Sequence, residues 1–203
     1  MGTQSIFKEK GATLIELLVA LVICGIVIGA IYRLFIVQTR AYTVQDQVVE
    51  VQQTVRSAME ILLRDLRMTG YDDDSVGSTV SIVTPIVTPV QDSDITVRYE
   101  YQNQQRTVRY WRDGTLTLFR DAGTGTEVLL QNVDALTFTY GVDTDEDGDV
   151  DNWVAAADVG TSKVIAVRVT LTARPTSDNP DVQTRVSPRT LTSAVSFRNL
   201  IMK

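Results

Sequence analysis

The sequence predicts an α+β fold: one long N-terminal helix, membrane-spanning in its first half and amphipathic in its second, packed on a C-terminal antiparallel β-sheet domain. Three observations carry this expectation. Residues 17–32 form an apolar run without a single charge, and residues 44–66 carry apolar side chains at steps of three and four. Strand-like runs separated by turn residues then fill the chain from position 95 onward. With 203 residues in all, the soluble part has room for one good-sized domain.

Composition narrows the function classes. The formal net charge is -6, and a surface of that sign repels nucleic acid, so no nucleic-acid partner is expected. The single cysteine, Cys24, lies inside the apolar run, which leaves the soluble part without an internal disulfide. Histidine is absent altogether, so the usual general bases and soft-metal ligands are missing. There is no G-x-S-x-G elbow either, and the chain is not expected to be an enzyme.

The N-terminal segment comes first in the argument. Residues 12–32 would run roughly 31 Å as a helix, which matches a bilayer core of about 30 Å. Lys8 and Lys10 precede them and would hold that end in the cytoplasm. The apolar run passes directly into the amphipathic stretch with no small-residue cleavage site, which separates it from a secretory signal peptide. Glu16 stands in the first turn of this helix. A carboxylate at the bilayer centre costs about 2–3 kcal/mol, so a specific task is expected of it. Gly25 and Gly29 form a G-x-x-x-G pattern that lets membrane helices approach closely.

From Val44 through Val48, Val51, Val55, Met59 and Leu62 to Leu66 the apolar residues mark one helix face. No proline or glycine interrupts the chain between Gly29 and Gly70, so a single helix over 12–69 is expected, stopped by Gly70.

Lys10-Gly11-Ala12-Thr13-Leu14-Ile15-Glu16-Leu17-Leu18-Val19-Ala20 resembles the class III signal of type IV prepilins and type II secretion pseudopilins. The resemblance implies a pilin-like fold in three parts. Residues 1–11 would be a leader removed by a prepilin peptidase, and 12–69 the long helix, in the membrane over about 12–32. Residues 70–203 would be a soluble, β-rich pilin domain. It further implies cleavage between Gly11 and Ala12, and N-methylation of Ala12, where the family usually has phenylalanine. Glu16 would be the glutamate at the fifth mature position, pairing with the free amine of a neighbouring subunit. Each of those charges is costly in a low-dielectric medium, and together they offset one another.

Tyr42, Gln53, Arg56 and the run Leu63-Arg64-Asp65-Leu66-Arg67-Met68-Thr69-Gly70-Tyr71 are similar to minor pilins of the PilW type and to the related J-type pseudopilins. This finer resemblance is read most strongly over residues 8–71. It implies a minor pilin inserted in the inner membrane, N-terminus cytoplasmic and C-terminal domain periplasmic, then carried to the pilus at the cell surface. Its role there would be to prime or cap a type IV pilus. The implied partners are other major and minor pilins or pseudopilins, the prepilin peptidase and the inner-membrane assembly platform. A minor pseudopilin of a type II secretion system and a pilus-borne adhesin remain as alternatives.

In the soluble part, residues 72–93 read as a polar connection, with prolines that suit an edge strand or loop. Strands are expected at 95–101, 106–112, 115–119, 128–130, 135–140, 164–172 and 190–197. Asp113-Gly114 is expected to close a two-residue hairpin between the second and third of these. One acidic segment stands apart. Asp143, Asp145, Asp147, Asp149 and Asp151 alternate, with Gly148 at the sixth place, as in the front of a calcium loop. Hard oxygen donors favour calcium over zinc. Position twelve is Val154, so the bidentate glutamate of an EF-hand is missing, and a solvated acidic turn is the competing account. No cofactor is required by this sequence; calcium is the one it could take.

Overall fold

The computed structural model describes residues 13–72, 80–175, 182 and 185–201. Gly11 and Ala12 lie outside the described residues. The chain forms two compact units, one ending at Thr43 and one beginning at Val44. Helix α1, Leu14–Arg67, is 54 residues long and contributes to both.

In the first unit every residue from 13 to 34 is exposed, including the large apolar side chains of Leu14, Ile15, Leu17 and Leu18. Among the described residues this is the one helix long and apolar enough to cross a membrane. Water is an unfavourable surrounding for a continuous apolar surface of this kind, which needs lipid or neighbouring helices.

In the second unit α1 becomes amphipathic, as the spacing predicts. Val51, Val55, Met59, Leu62 and Leu66 are buried, joined by Ala58 and Leu63, while Val44 and Val48 are only half-buried. The last turn gives way at Arg67, and Gly70 takes φ +73, the left-handed conformation expected of a glycine after a helix. That glycine also answers to packing. A Cβ there would stand 2.6 Å from Cδ2 of Leu200, which belongs to a short C-terminal helix, α2 (Arg198–Ile201).

The strands divide into two antiparallel four-stranded sheets. The first has the order β1 (Asp94–Tyr101), β2 (Gln104–Arg112), β3 (Leu118–Asp121), β4 (Thr126–Leu130). The second combines β5 (Val133–Asp143), β6 (Asn152–Val154), β7 (Lys163–Ala173) and β8 (Arg189–Ser196) in the order β6-β5-β7-β8. Period-two alternation sends Ile95, Val97, Tyr99, Val108 and Tyr110 inward from the first sheet, and Phe138, Tyr140, Val167, Val169 and Leu171 from the second. Both sets join the buried face of α1 in one core. On the second sheet's outer side, Thr170 and Thr172 of β7 pair across the ladder with Thr192 and Thr190 of β8, at 3.1 and 2.8 Å.

The connection before β1 behaves as its prolines suggest. Pro85 and Val87 hydrogen-bond to Arg98 and Thr96 along the outer edge of β1, with Ile86 bridged to Val97. The same edge is met by Gly70, whose N–H donates to the Arg98 carbonyl at 2.9 Å, and by Tyr71, whose carbonyl accepts the Glu100 N–H at 2.8 Å.

The expected two-residue hairpin at Asp113-Gly114 is not formed. Arg112 pairs with Leu118, so residues 113–117 make a five-residue loop and the strand begins later than 115. The side chain of Asp113 accepts the N–H groups of Thr115 and Thr117 at 3.0 and 3.1 Å, an aspartate-centred turn that outcompetes the tighter one. Leu116 takes φ 59 within it, and the longer loop brings Leu118 fully into the core. The two-residue turn occurs instead between β1 and β2. Gln102 and Asn103 carry it at φ 54 and 57, with Tyr101 facing Gln104.

Candidate functional site

Two places carry chemistry. The first is the start of α1. Thr13 precedes the first helical residue, and its backbone N–H donates to a Glu16 carboxylate oxygen at 2.8 Å. The Thr13 hydroxyl donates to the same oxygen at 3.0 Å, and the Glu16 N–H returns a bond to that hydroxyl at 3.4 Å. This is a reciprocal capping box. The residue before the helix and the third residue within it satisfy donors that the helix leaves open. Thr13 was not singled out by the sequence reading, although T-x-x-E ahead of an apolar run is the signal that marks it. Further along, Gly25 and Gly29 share one helix face, and a Cβ added at either would meet no atom within 4 Å.

The second place is the loop between β5 and β6, residues 143–151. Asp143 ends β5 with only 2% of its surface exposed. One of its oxygens, Oδ2, accepts the N–H of Gly148 at 3.1 Å. The other, Oδ1, is buried with no hydrogen-bond partner among the described residues. Asp143, Asp145 and Asp151 each bring one carboxylate oxygen to a common point, all within 4.8 Å of one another. Asp147 and Asp149 are not part of this group. Asp147 turns aside to accept the N–H of Asp149 at 2.8 Å. Of the five aspartates singled out in the sequence, the fold therefore gathers three.

The electrostatics of the loop divide the two exposed members. The N–H of Asp147 pulls the Asp145 carboxyl down, but partial desolvation and the charges of Asp147, Asp151 and Asp143 outweigh it and leave it above the ordinary carboxylate range. Asp151 is held below that range by the side chain and the backbone N–H of Thr144, the latter at 2.7 Å. Packing fixes the loop to the sheet. Val150 folds over Gly141, where a Cβ would come within 3.1 Å of it and 2.9 Å of the Cβ of Ala166, and the Asp151 N–H donates to the carbonyl of Val142 at 3.0 Å.

Two family models match the chain. The prokaryotic N-terminal methylation motif covers residues 6–32, and the type IV pilus-assembly protein W family covers residues 112–198. Over these two segments the chain is similar to PilW-type members of the type IV pilin superfamily. Searches of curated proteins and of solved structures return no significant match. In this PilW-like chain the W-family match runs from the end of β2 to the first residue of α2. The PilW match thus lies outside residues 8–71, where the finer resemblance is read most strongly; of that stretch only 8–32 is matched, and by the methylation motif. The PilW match takes in the whole acidic loop. Pilin-family domains are structural rather than enzymatic, and a role in pilus assembly alongside other pilins follows from the family.

Proposed function

We propose that the chain is a minor pilin, anchored in the inner membrane by the first half of α1, cleaved after Gly11 and incorporated into a type IV pilus, which it primes or caps. What carries this reading is a coincidence within one chain: the N-terminal methylation motif sits on the exposed apolar helix, and the pilus-assembly W family matches the soluble domain. The W match also favours a pilus over a type II secretion pseudopilus. Lys8 and Lys10 argue for a cytoplasmic N-terminus and a periplasmic soluble domain.

In this reading Glu16 gains a partner during assembly. Cleavage frees the amine of Ala12, one residue before Thr13, and methylation would keep it basic. Before assembly, the capping box occupies the Glu16 carboxylate. Both Thr13 bonds end on Oε2, so a neighbour's amine either binds at Oε1 or displaces Thr13, the latter at a cost of about 0.5–2 kcal/mol for the lost cap. A charge pair in a low-dielectric medium offsets the cost that each charge bears alone. Open space over Gly25 and Gly29 would let the neighbouring helix approach closely enough to make the pair.

Intact-mass measurement and N-terminal sequencing of the protein from membranes, with and without prepilin peptidase, test the reading. A product starting at N-methylated Ala12 and lost without the peptidase is expected. Glu16→Gln is expected to be cleaved normally yet depleted from sheared filaments. A chain still beginning at Met1 in peptidase-positive cells would remove the filament role, and normal incorporation of Glu16→Gln would remove the Glu16 pairing alone.

A further inference from the structure

We propose that the β5–β6 loop is a calcium site in which Asp143, Asp145 and Asp151 supply the carboxylate ligands. The acidic spacing alone would not establish this, since exposed aspartates on a loop repel one another without needing an ion. The deciding observation is Asp143. Its Oδ1 is buried and unpartnered, on a residue 2% exposed, and the residue belongs to the converging group. A buried carboxylate oxygen without a donor is costly unless a cation supplies what hydrogen bonds do not.

The dimensions suit calcium. Calcium–oxygen distances are about 2.3–2.6 Å, so oxygens on opposite sides of the ion stand about 5 Å apart. The three carboxylate oxygens lie within 4.8 Å of one another. Magnesium needs oxygens at about 2.0–2.1 Å in a strict octahedron and gives up its waters reluctantly, which fits a cradle of three carboxylates spread up to 4.8 Å apart poorly. The all-oxygen donor set disfavours zinc and copper.

The loop is also built to hold this shape before an ion arrives. Gly148 takes φ +91 at the sixth place, where the chain reverses and points its N–H back at Asp143. Val150 over Gly141 and the Asp151–Val142 bond fix the far side. Counting Asp143 as one, the ligands fall at one, three and nine. With Val154 at twelve there is no bidentate glutamate, and backbone carbonyls and waters must complete the shell. That places the affinity in the weak range of extracellular modules, on the order of 0.1–1 mM. The inference does not depend on cleavage or on filament assembly.

The test uses the full-length protein in detergent micelles, freed of metal with a chelator and titrated with calcium chloride while heat and thermal unfolding are followed. Saturable heat and a rising Tm are expected. Asp145→Asn and Asp151→Asn should weaken binding at least tenfold, whereas Asp147→Asn should change it less than threefold. Asp143→Asn separates ligation from folding. Removing an uncompensated buried charge should raise Tm in chelator and abolish the calcium-dependent rise. No heat and no shift up to about 10 mM calcium, far above the affinity range of such loops, would overturn the site. Equal loss in Asp147→Asn and Asp145→Asn would overturn the ligand assignment.

Discussion

Replacing Asp65 by alanine is expected to be the most damaging single change in the second unit outside the apolar core. Asp65 lies on the buried side of α1, and one of its oxygens accepts the Tyr110 hydroxyl at 2.6 Å and the Arg120 Nε–H at 2.9 Å. Arg120 also donates to the Tyr110 oxygen at 3.0 Å, so helix, β2 and β3 meet in one closed triangle. Its two charged members have side chains only 5% and 16% exposed. Removing one partner of a buried pair typically costs about 3–5 kcal/mol, because the other charge is left uncompensated. Two features pull the expectation to the lower end. Arg120 keeps some solvent, and it can lean on Glu127, 3.4 Å away and itself 65% exposed, a contact of little value alone. About 3 kcal/mol is therefore expected, which for a domain of this size lowers Tm by roughly 6–12 °C.

The assay is thermal unfolding of the full chain in detergent, followed by circular dichroism in the β-sheet region, with Asp65→Ala, Arg120→Ala and the double variant in a cycle. The singles should each be strongly destabilised, and the double should cost clearly less than their sum. A leucine pair at the two positions should recover much of the loss only when Tyr110→Phe is added, since the pair alone leaves the buried Tyr110 hydroxyl without its partners. A Tm drop below about 2 °C for Asp65→Ala would refute the reasoning, since so small a change is what a solvated surface pair gives.

Two further expectations follow from the same packing. Burial pushes the Tyr110 hydroxyl well above its ordinary range, reinforced by the bond to Asp65 and by its charge, and burial does the same to Tyr140. Their neutral forms thus contribute stability that is complete below the unfolded value of about 10 and is lost as pH rises above it, by about 1.4 kcal/mol per pH unit for each tyrosine. Chemical denaturation at stepped pH should show that decline, and Tyr140→Phe should lessen its slope; an unchanged slope would contradict the assignment. Gly70→Ala combines a φ of +73 with a Cβ 2.6 Å from Leu200, so a loss of about 1–3 kcal/mol is expected. A denaturation midpoint equal to that of the unaltered chain would show that α2 does not pack on the end of α1.

What the sequence disclosed and what it hid divide along a physical line. Local patterns carried far. The uncharged run, the stripe ending at Leu66 and the alternation of Ile95, Val97 and Tyr99 each depend only on a residue and its near neighbours, and the elements formed where those patterns lie. Glycine at 70 was legible for the same reason. Turns were harder, because two local chemistries compete at one place: Asp-Gly suits a tight hairpin, yet an aspartate side chain can equally cap the N–H groups that follow it. Asp113 took the second course. The division into two sheets and the strand at 152–154 were not legible, since pairing partners are set by the whole fold. Asp65 shows the limit most clearly. In sequence it is one charge among Arg64, Arg67 and Glu60 on a polar helix, and only the arrival of Tyr110 and Arg120, 45 and 55 residues later, turns it into a buried anchor.

The acidic loop follows the same logic in a form that bears on function. Spacing brought five aspartates to notice, and a helix–loop–helix calcium site would use the first three alternate positions. This loop instead joins two strands, and the β5 ladder sets the exit direction of Asp143, drawing it into the protein, while the return through β6 brings Asp151 back beside it. Asp147, at the tip, has no strand to steer it and turns to its own backbone. Ligand selection in such a loop is decided less by which residues are acidic than by which of them the flanking strands hold in place. The aspartates beside the strand ends, 143 and 151, are the ones so held, and Asp145 joins them from within the loop.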